Sequence, residues 1–234
     1  MALPLYLALT AAEFQKSSSL PEHSAWMACH YSPYGLGLSN CPKKLPENAM
    51  LILNDRIPWR GHDISAVVSQ LAEIIGEEKC GSVLLDFQHP NVDAISNLIE
   101  EILKTLPCPV GVSHLYAENF PCPVFLPPLP LDIPLKDYTA PWLNREIWLE
   151  AALDGCMITL TPDGSCCTPI PYPGKDSGHK DSTLHCHYTM ETASEKAEFT
   201  LFRTRDDLAE LLEEAETRGI TRGIGLWQEL NKLN

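Results

Sequence analysis

The sequence lacks an apolar run of the ~20 residues that a membrane-spanning helix requires. It also has few positive charges: 17 Lys and Arg stand against 31 Asp and Glu, a net charge of −14 over 234 residues. A negative excess of this size opposes contact with nucleic-acid phosphates and with anionic membrane surfaces. Neither nucleic acid nor a membrane is therefore expected as a partner.

Residues 3–12 are apolar, but no Lys or Arg precedes them, as one would in a secretory signal peptide. We therefore predict a first strand in this stretch. The nine cysteines are an odd number, so at least one has no partner within the chain. Three lie in predicted core strands, where a free thiol acts as a small apolar side chain: Cys29, Cys80 and Cys156. Both features favour the reducing cytoplasm as the location.

The motifs of common cofactor and metal sites are missing. The pair Gly35-x-Gly37 is too short for a phosphate loop and opens no helix, and no G-x-S-x-G occurs. His185 and His187 could ligate zinc with nearby Cys166, Cys167 or His179, although the spacing matches no standard zinc pattern. Alternatively, they form the exposed face of a half-buried strand whose Cys186 points inward. We predict no cofactor and no metal.

The first half of the chain alternates short apolar segments with amphipathic helices. Asp63 is predicted to cap a helix that ends in a left-handed turn at Gly76, and Asn91 to cap a second helix that stops at Pro107. Strands separated by helical crossovers indicate a parallel sheet. The predicted strands are 3–10, 24–31, 50–53, 82–86, 109–113 and 123–126.

The second half begins with a different pattern. Residues 146–153 and 156–161 alternate polar and apolar side chains around the turn at Asp154-Gly155, which indicates an antiparallel meander. Residues 171–182 have no periodicity and are predicted to be a mobile loop, and 184–190 and 198–203 to be strands. A helix over 205–218 and a strand over 224–227 close the chain. The prediction is one domain, 1–234: a reduced or distorted (β/α)8 TIM-type barrel with a β-rich insertion, 146–196, before the last helix.

Polar side chains follow most of the predicted strands. In a barrel these strand ends converge on one mouth, whatever their separation in sequence. Polar residues are also common there simply because loops begin at strand ends. The candidates are Glu13, His30, Asp55, Asp86, Gln88, His89, His114, Tyr116, Trp227, Gln228 and Glu229.

Two of these segments resemble motifs of one enzyme family. Residues 82–90, S-V-L-L-D-F-Q-H-P, resemble the fourth-strand signature of the family-18 glycoside hydrolases, the chitinase-like barrels, D-G-x-D-x-D-W-E-x-P. Asp86 then takes the last aspartate, whereas Leu84 replaces the middle aspartate and Gln88 the proton-donating glutamate. Residues 223–230 resemble the last strand, G-x-x-x-W-E-L, whose tryptophan, here Trp227, floors the sugar site. The family also carries an insertion shortly before its last helix.

The resemblance implies a carbohydrate-related barrel. In the family, the aspartate at the position of Asp86 assists the substrate's own acetamido group, and an amide at Gln88 cannot supply the proton. We therefore predict a glycan or small polar ligand at the mouth, with catalysis altered or lost. The ligand-binding candidates are Trp227, Gln88, His89, His30 and Tyr116. The alternative is an active hydrolase of different chemistry, in which Asp86 works with Asp55 or Glu229.

Overall fold

The computed structural model describes residues 3–17, 19–35, 37–89, 93–174 and 178–231. Its strands, in chain order, are β1 Leu5–Leu9, β2 Ser24–Tyr31, β3 Leu38–Ser39, β4 Met50–Asn54, β5 Ser82–Asp86, β6 Val110–Ser113, β7 Val124–Leu126, β8 Ile147–Ala151, β9 Asp154–Thr161, β10 Gly164–Pro171, β11 His179–Asp181, β12 Cys186–Ala193, β13 Lys196–Phe202 and β14 Ile220–Leu226. The helices are α1 Ala11–Lys16, α2 Ile64–Glu78, α3 Asp93–Thr105, α4 His114–Ala117, α5 Leu135–Thr139, α6 Arg205–Thr217 and α7 Trp227–Leu230.

Eight of these strands form a closed parallel barrel. Their order is β1-β14-β8-β7-β6-β5-β4-β2, and pairing of β1 with β2 closes the ring. The short β3 adds an antiparallel edge to β2. This confirms the predicted TIM-type (β/α)8 barrel. It is reduced, because only α2, α3 and α6 exceed six residues among the described helices. No helix within the described ranges has the length and apolar composition needed to cross a membrane.

The antiparallel sheet begins later than the sequence pattern suggested. Residues 147–151 pair in parallel with β7 and β14, so they belong to the barrel, and the prediction of a meander from residue 146 was wrong up to 153. The separate sheet, of order β10-β9-β13-β12-β11, spans residues 154–202 between β8 and α6. We call it the inserted sheet. Within the predicted loop 171–182, His179–Asp181 is strand β11, and residues 175–177 lie outside the described residues.

The helix ends follow local capping chemistry. The Asp63 side chain accepts hydrogen bonds from the N–H groups of Ser65 and Ala66, which confirms it as the N-cap of α2. The predicted turn at Gly76 was wrong: the helix continues to Glu78, and Lys79 adopts the left-handed conformation with φ 51°. The predicted cap Asn91 lies outside the described residues.

The lower part of the barrel is filled by side chains, as a TIM barrel requires. Trp148 of β8 is fully buried there and packs with Leu84 of β5 in the inner core. The ring lies so close to β6 that a Cβ added at Gly111 would be 2.3 Å from Trp148 Cε3. The guanidinium of Arg222 lies 4.4 Å from the centre of the indole. Trp148 and Leu84 therefore fill the barrel beneath the mouth, where the strands end.

Candidate functional site

A cavity of about 340 Å³ opens at the carboxyl ends of the barrel strands. We call it the mouth cavity. One part of its wall is apolar: Ala8, Met27, Ile52, Phe125, Ile224 and Leu226. The other part is polar: Asn54, Asp55, Arg56, Asp86, Gln88, His89 and Glu150. Of the predicted site residues, the structure thus brings Asp55, Asp86, Gln88 and His89 together at one cavity.

Asp86 is the last residue of β5, and it points to the same side of the strand as Leu84. Nε2 of Gln88 donates a hydrogen bond to Oδ1 of Asp86. Burial raises the pKa of Asp86, the hydrogen bond from Gln88 lowers it, and the negative charge of Asp55 raises it further, so the pKa lies above its ordinary value. The carboxyl of Asp86 is therefore held in an environment that opposes its ionisation.

Asp55 fixes the start of the loop that follows β5, residues 87–89. Its carboxylate accepts hydrogen bonds from the backbone N–H groups of Gln88, at 3.0 Å, and His89, at 2.8 Å. Nδ1 of His89 lies 2.9 Å from Oδ2 of the same carboxylate. Asp55 is only 5% exposed. Both carboxylate oxygens of Asp55 are thus bound to the loop. Asp55 positions the loop and is not free to act on a ligand.

Aromatic side chains pack against the same loop on the side away from the mouth cavity. Phe87 is fully buried and lies against Tyr31 and Tyr116, with ring centres 5.9 and 6.3 Å away. The hydroxyl of Tyr116 donates to the backbone carbonyl of His89. Tyr116, predicted as a ligand-binding residue, is buried behind the loop and does not line the mouth cavity. The loop carrying Gln88 is therefore preformed.

Glu150 lines the mouth cavity and was missed by the sequence reasoning. It is the fourth residue of β8 and lies on the same side of the strand as Trp148. Burial, followed by the negative charges of Asp86, Asp154 and Glu229, raises its pKa to about 7. A signal was present: the apolar run 147–149 ends on an acidic residue, as 83–85 ends on Asp86. Because residues 146–153 were assigned to the insertion, Glu150 was not recognised as a residue at the end of a barrel strand.

Trp227 and Glu229 do not line the mouth cavity. Strand β14 ends at Leu226, where Ile224 and Leu226 face inward, and Trp227 begins α7 on the outer side of the barrel. There it packs against the outer core, between barrel and helices. This corrects the expectation that Trp227 floors the cavity beside Asp86. Oε2 of Glu229 lies 3.4 Å from the backbone N–H nitrogen of Leu153.

His30, the remaining ligand-binding candidate, is turned toward its own neighbours. Its Nδ1 lies 2.7 Å from the carbonyl oxygen of Tyr31, and its Nε2 lies 2.9 Å from Nδ2 of Asn40. It does not line the mouth cavity. Its place in register with Asn54 of β4 puts it near the rim.

The two histidines of the inserted sheet contact carboxylates of α6. Nε2 of His185 lies 2.6 Å from Oε2 of Glu214, and Nδ1 of His187 lies 2.7 Å from Oδ2 of Asp207. Cys186 between them is buried. Across the ranges that the structure describes, no three His, Cys, Asp or Glu side chains form a metal-binding group. These histidines attach the inserted sheet to the barrel helix.

Comparison with known proteins gives matches by structure only. No protein-family model and no curated protein matches the chain. The spore cortex-lytic enzyme SleL of Bacillus megaterium QM B1551 superposes with a TM-score of 0.56 at 10% identity, over 96% of this chain and 70% of that one. A chitinase from Chromobacterium violaceum ATCC 12472 gives 0.58 at 8% identity, over 96% and 93%. A family-18 N-acetylglucosaminidase from Paenibacillus barengoltzii gives 0.57 at 7%, over 95% and 94%. These likenesses show the fold alone, the TIM-type (β/α)8 barrel that the sequence predicted.

Proposed function

We propose that the protein binds a glycan or a small polar ligand in the mouth cavity, with catalytic activity altered or lost. The observation that carries the proposal is the division of the cavity into an apolar part and a polar part. A sugar ring presents hydroxyl groups around its edge and C–H groups on its faces, so it complements both. The volume of about 340 Å³ falls within the ~300–1,000 Å³ typical of small-ligand sites.

The polar part is built for hydroxyl recognition. Asp86 supplies acceptor oxygens, and the exposed side chain of Gln88 retains acceptor capacity at its Oε1 after donating to Asp86. Asp55 and Tyr116 hold the loop in place before a ligand arrives, which lowers the entropy lost on binding. The solved chitinase and N-acetylglucosaminidase with this fold support a sugar as the ligand class.

We base the proposed loss of glycoside hydrolysis on Gln88, which stands where the resembled family has its proton-donating glutamate. An amide has no acidic proton to give to a leaving group, and its N–H already donates to Asp86. Binding requires no such proton.

A second candidate function is hydrolysis by a rearranged acid pair. Glu150 and Asp86 line the same cavity, and a pKa of about 7 keeps Glu150 largely protonated in mildly acidic solution, as a general acid requires. Glu150 thus fits the second carboxylate better than Asp55, whose oxygens bind the loop, or Glu229, which lies outside the cavity.

Calorimetric titration separates these functions. Chitobiose and cellobiose are titrated into the protein and into Asp86→Ala, with Asp137→Ala, an exposed aspartate on α5, as matched control. Saturable binding that weakens only in Asp86→Ala supports the proposal, and no binding of either sugar contradicts it. In parallel, a chromogenic chitobioside is incubated with the protein and with Glu150→Gln. Turnover that Glu150→Gln abolishes would replace binding with hydrolysis.

A further inference from the structure

A second cavity, of about 600 Å³, lies on the flank of the barrel outside β2. We call it the flank groove. It runs between α1 and the segment 40–46. Its apolar walls come from Phe14, Leu20, Trp26 and Leu45, and Lys43 and Lys44 contribute to one side.

The groove exists because a crossover helix is missing. The described residues between β2 and β4 form no helix; besides the two-residue β3 they are turns, bends and irregular chain. An α-helix with its side chains is ~10 Å across, and a single irregular chain is narrower. The segment is tied toward α2: Leu38 N–H donates to Gln70 Oε1 at 2.8 Å, and Leu45 N–H donates to Glu78 Oε2 at 2.6 Å. The side toward α1 is left uncovered.

The walls of the flank groove are fixed by their own contacts. The indole N–H of Trp26 donates to the carbonyl of Asn40 at 2.9 Å, which satisfies the only polar atom of that side chain. Phe14 packs edge-on against Trp26, with ring centres 5.2 Å apart. At the start of α1, Thr10 and Glu13 form a reciprocal capping box. The aromatic wall is therefore rigid and offers apolar surface.

The charge beside this apolar surface is positive. Lys43 and Lys44 are both exposed, and neither has an acidic group within 4.0 Å among the ion pairs of the described residues. Two adjacent unpaired ammonium groups beside an aromatic wall complement a ligand that is apolar at one end and anionic at the other.

We propose that the flank groove binds a small amphiphilic anion, an aliphatic chain or ring system that ends in a carboxylate or a phosphate. The apolar part lies against Phe14 and Trp26, and the anionic group contacts Lys43 and Lys44. The site is separate from the mouth cavity, with which it shares no lining residue.

The test uses the full chain and three probes below their micellar concentrations: decanoate, decyl phosphate and uncharged decanol. Calorimetry should show saturable binding of an anionic probe, with decanol weaker, and added salt should reduce the difference. The double variant Lys43→Gln/Lys44→Gln should bind the anion about tenfold more weakly and decanol equally. Both lysines are exposed, so the fold is retained. Lys136→Gln, an exposed lysine on α5, is the matched control.

The two anions distinguish a carboxylate from a phosphate as the natural end group. Chitobiose should not displace either probe, which keeps this result independent of the mouth cavity. Three results would overturn the proposal: no binding of either anion, decanol binding as tightly as the anions, or unchanged affinity in the double variant.

Discussion

The side-chain amide of Gln88 donates to the carboxylate of Asp86, two residues before it. In the resembled family, the position of Gln88 carries the glutamate that protonates the leaving group. The amide of Gln88 donates to Asp86 but carries no acidic proton. Burial outweighs the hydrogen bond and leaves the pKa of Asp86 raised. Asp86 is thus held by an amide, and we propose that the pair contacts a ligand without cleaving it.

We expect the protein not to cleave chito-oligosaccharides, and Gln88→Glu alone to add little activity. A general acid contributes ~10²–10⁴-fold in rate, but only with suitable charge support around it. The family's middle aspartate is Leu84 here, 1% exposed in the inner core. A chromogenic chitobioside assayed across a wide pH range checks this, with Asp86→Ala as control. Wild-type turnover that disappears in the control would contradict it.

The double change Gln88→Glu/Leu84→Asp should give more activity than Gln88→Glu at a loss of stability. An unpaired carboxylate placed among Met50, Phe125 and Trp148 costs several kcal/mol. Urea unfolding of both variants should therefore accompany the rate measurements. Equal stability of the two variants would show that the new carboxylate finds a partner.

Glu150→Gln should stabilise the protein above pH 7 and change little at pH 4.5. The pKa of Glu150 in the folded state, about 7, lies above its ordinary 4.5. The folded state therefore binds the proton more tightly, and stability falls as pH rises from 4.5 through 7. This pKa shift corresponds to a loss of at most ~3 kcal/mol in the free energy of unfolding. The partial exposure of Glu150 makes the loss smaller. Urea unfolding at pH 4.5 and 8 measures the difference.

The matched control for this prediction is Glu77→Gln, an exposed glutamate near the end of α2. It should change stability little at both pH values. A Glu150→Gln variant that is less stable than the wild type at pH 8 would show that the ionised carboxylate has a stabilising partner.

Sequence patterns were sufficient to predict the barrel fold, but they predicted only part of the candidate site. Apolar runs located β2 and β5 correctly, and capping chemistry predicted the N-cap Asp63, because these signals are local. Which face a strand-end residue takes depends on where the strand stops, and this is set by tertiary pairing. Trp227 falls one residue past Leu226 and so faces outward. Glu150 was missed because residues 146–153 were assigned to the antiparallel insertion, although the apolar run 147–149 ends on it.

Asp207→Ala should weaken the attachment of the inserted sheet to α6. Burial opposes ionisation of Asp207, but hydrogen bonds from the Thr204 hydroxyl and N–H and from His187 outweigh it and lower the pKa. Because this pKa is lowered, the ionised carboxylate of Asp207 stabilises the fold at pH values above its ordinary pKa. The stabilisation is lost as the pH falls through the lower pKa of the folded state. We expect a loss of ~2–3 kcal/mol at pH 7, since several bonds to a buried carboxylate disappear together. Urea unfolding should show it.

The control is Asp206→Ala, an exposed aspartate in the same first turn of α6. It should cost well under ~1 kcal/mol, because it removes a favourable interaction with the helix dipole and a solvent-screened attraction for Lys180. Equal losses in the two variants would mean that the contacts of Asp207 with His187 and Thr204 add nothing beyond the helix dipole.

Gly111→Ala should destabilise the barrel by ~1–3 kcal/mol, the usual range for overpacking a core. The added methyl would lie 2.3 Å from Cε3 and 2.4 Å from Cζ3 of Trp148. The indole cannot withdraw freely, because Arg222 stacks on it and its N–H donates to Oε1 of Glu146 at 2.9 Å. Gly76→Ala is the matched control: no atom lies within 4 Å of the added Cβ, and alanine favours the interior of α2. The midpoint temperature of thermal unfolding should therefore fall for Gly111→Ala and rise for Gly76→Ala. A Gly111→Ala variant as stable as the wild type would mean that Trp148 does not plug the barrel beneath the mouth cavity.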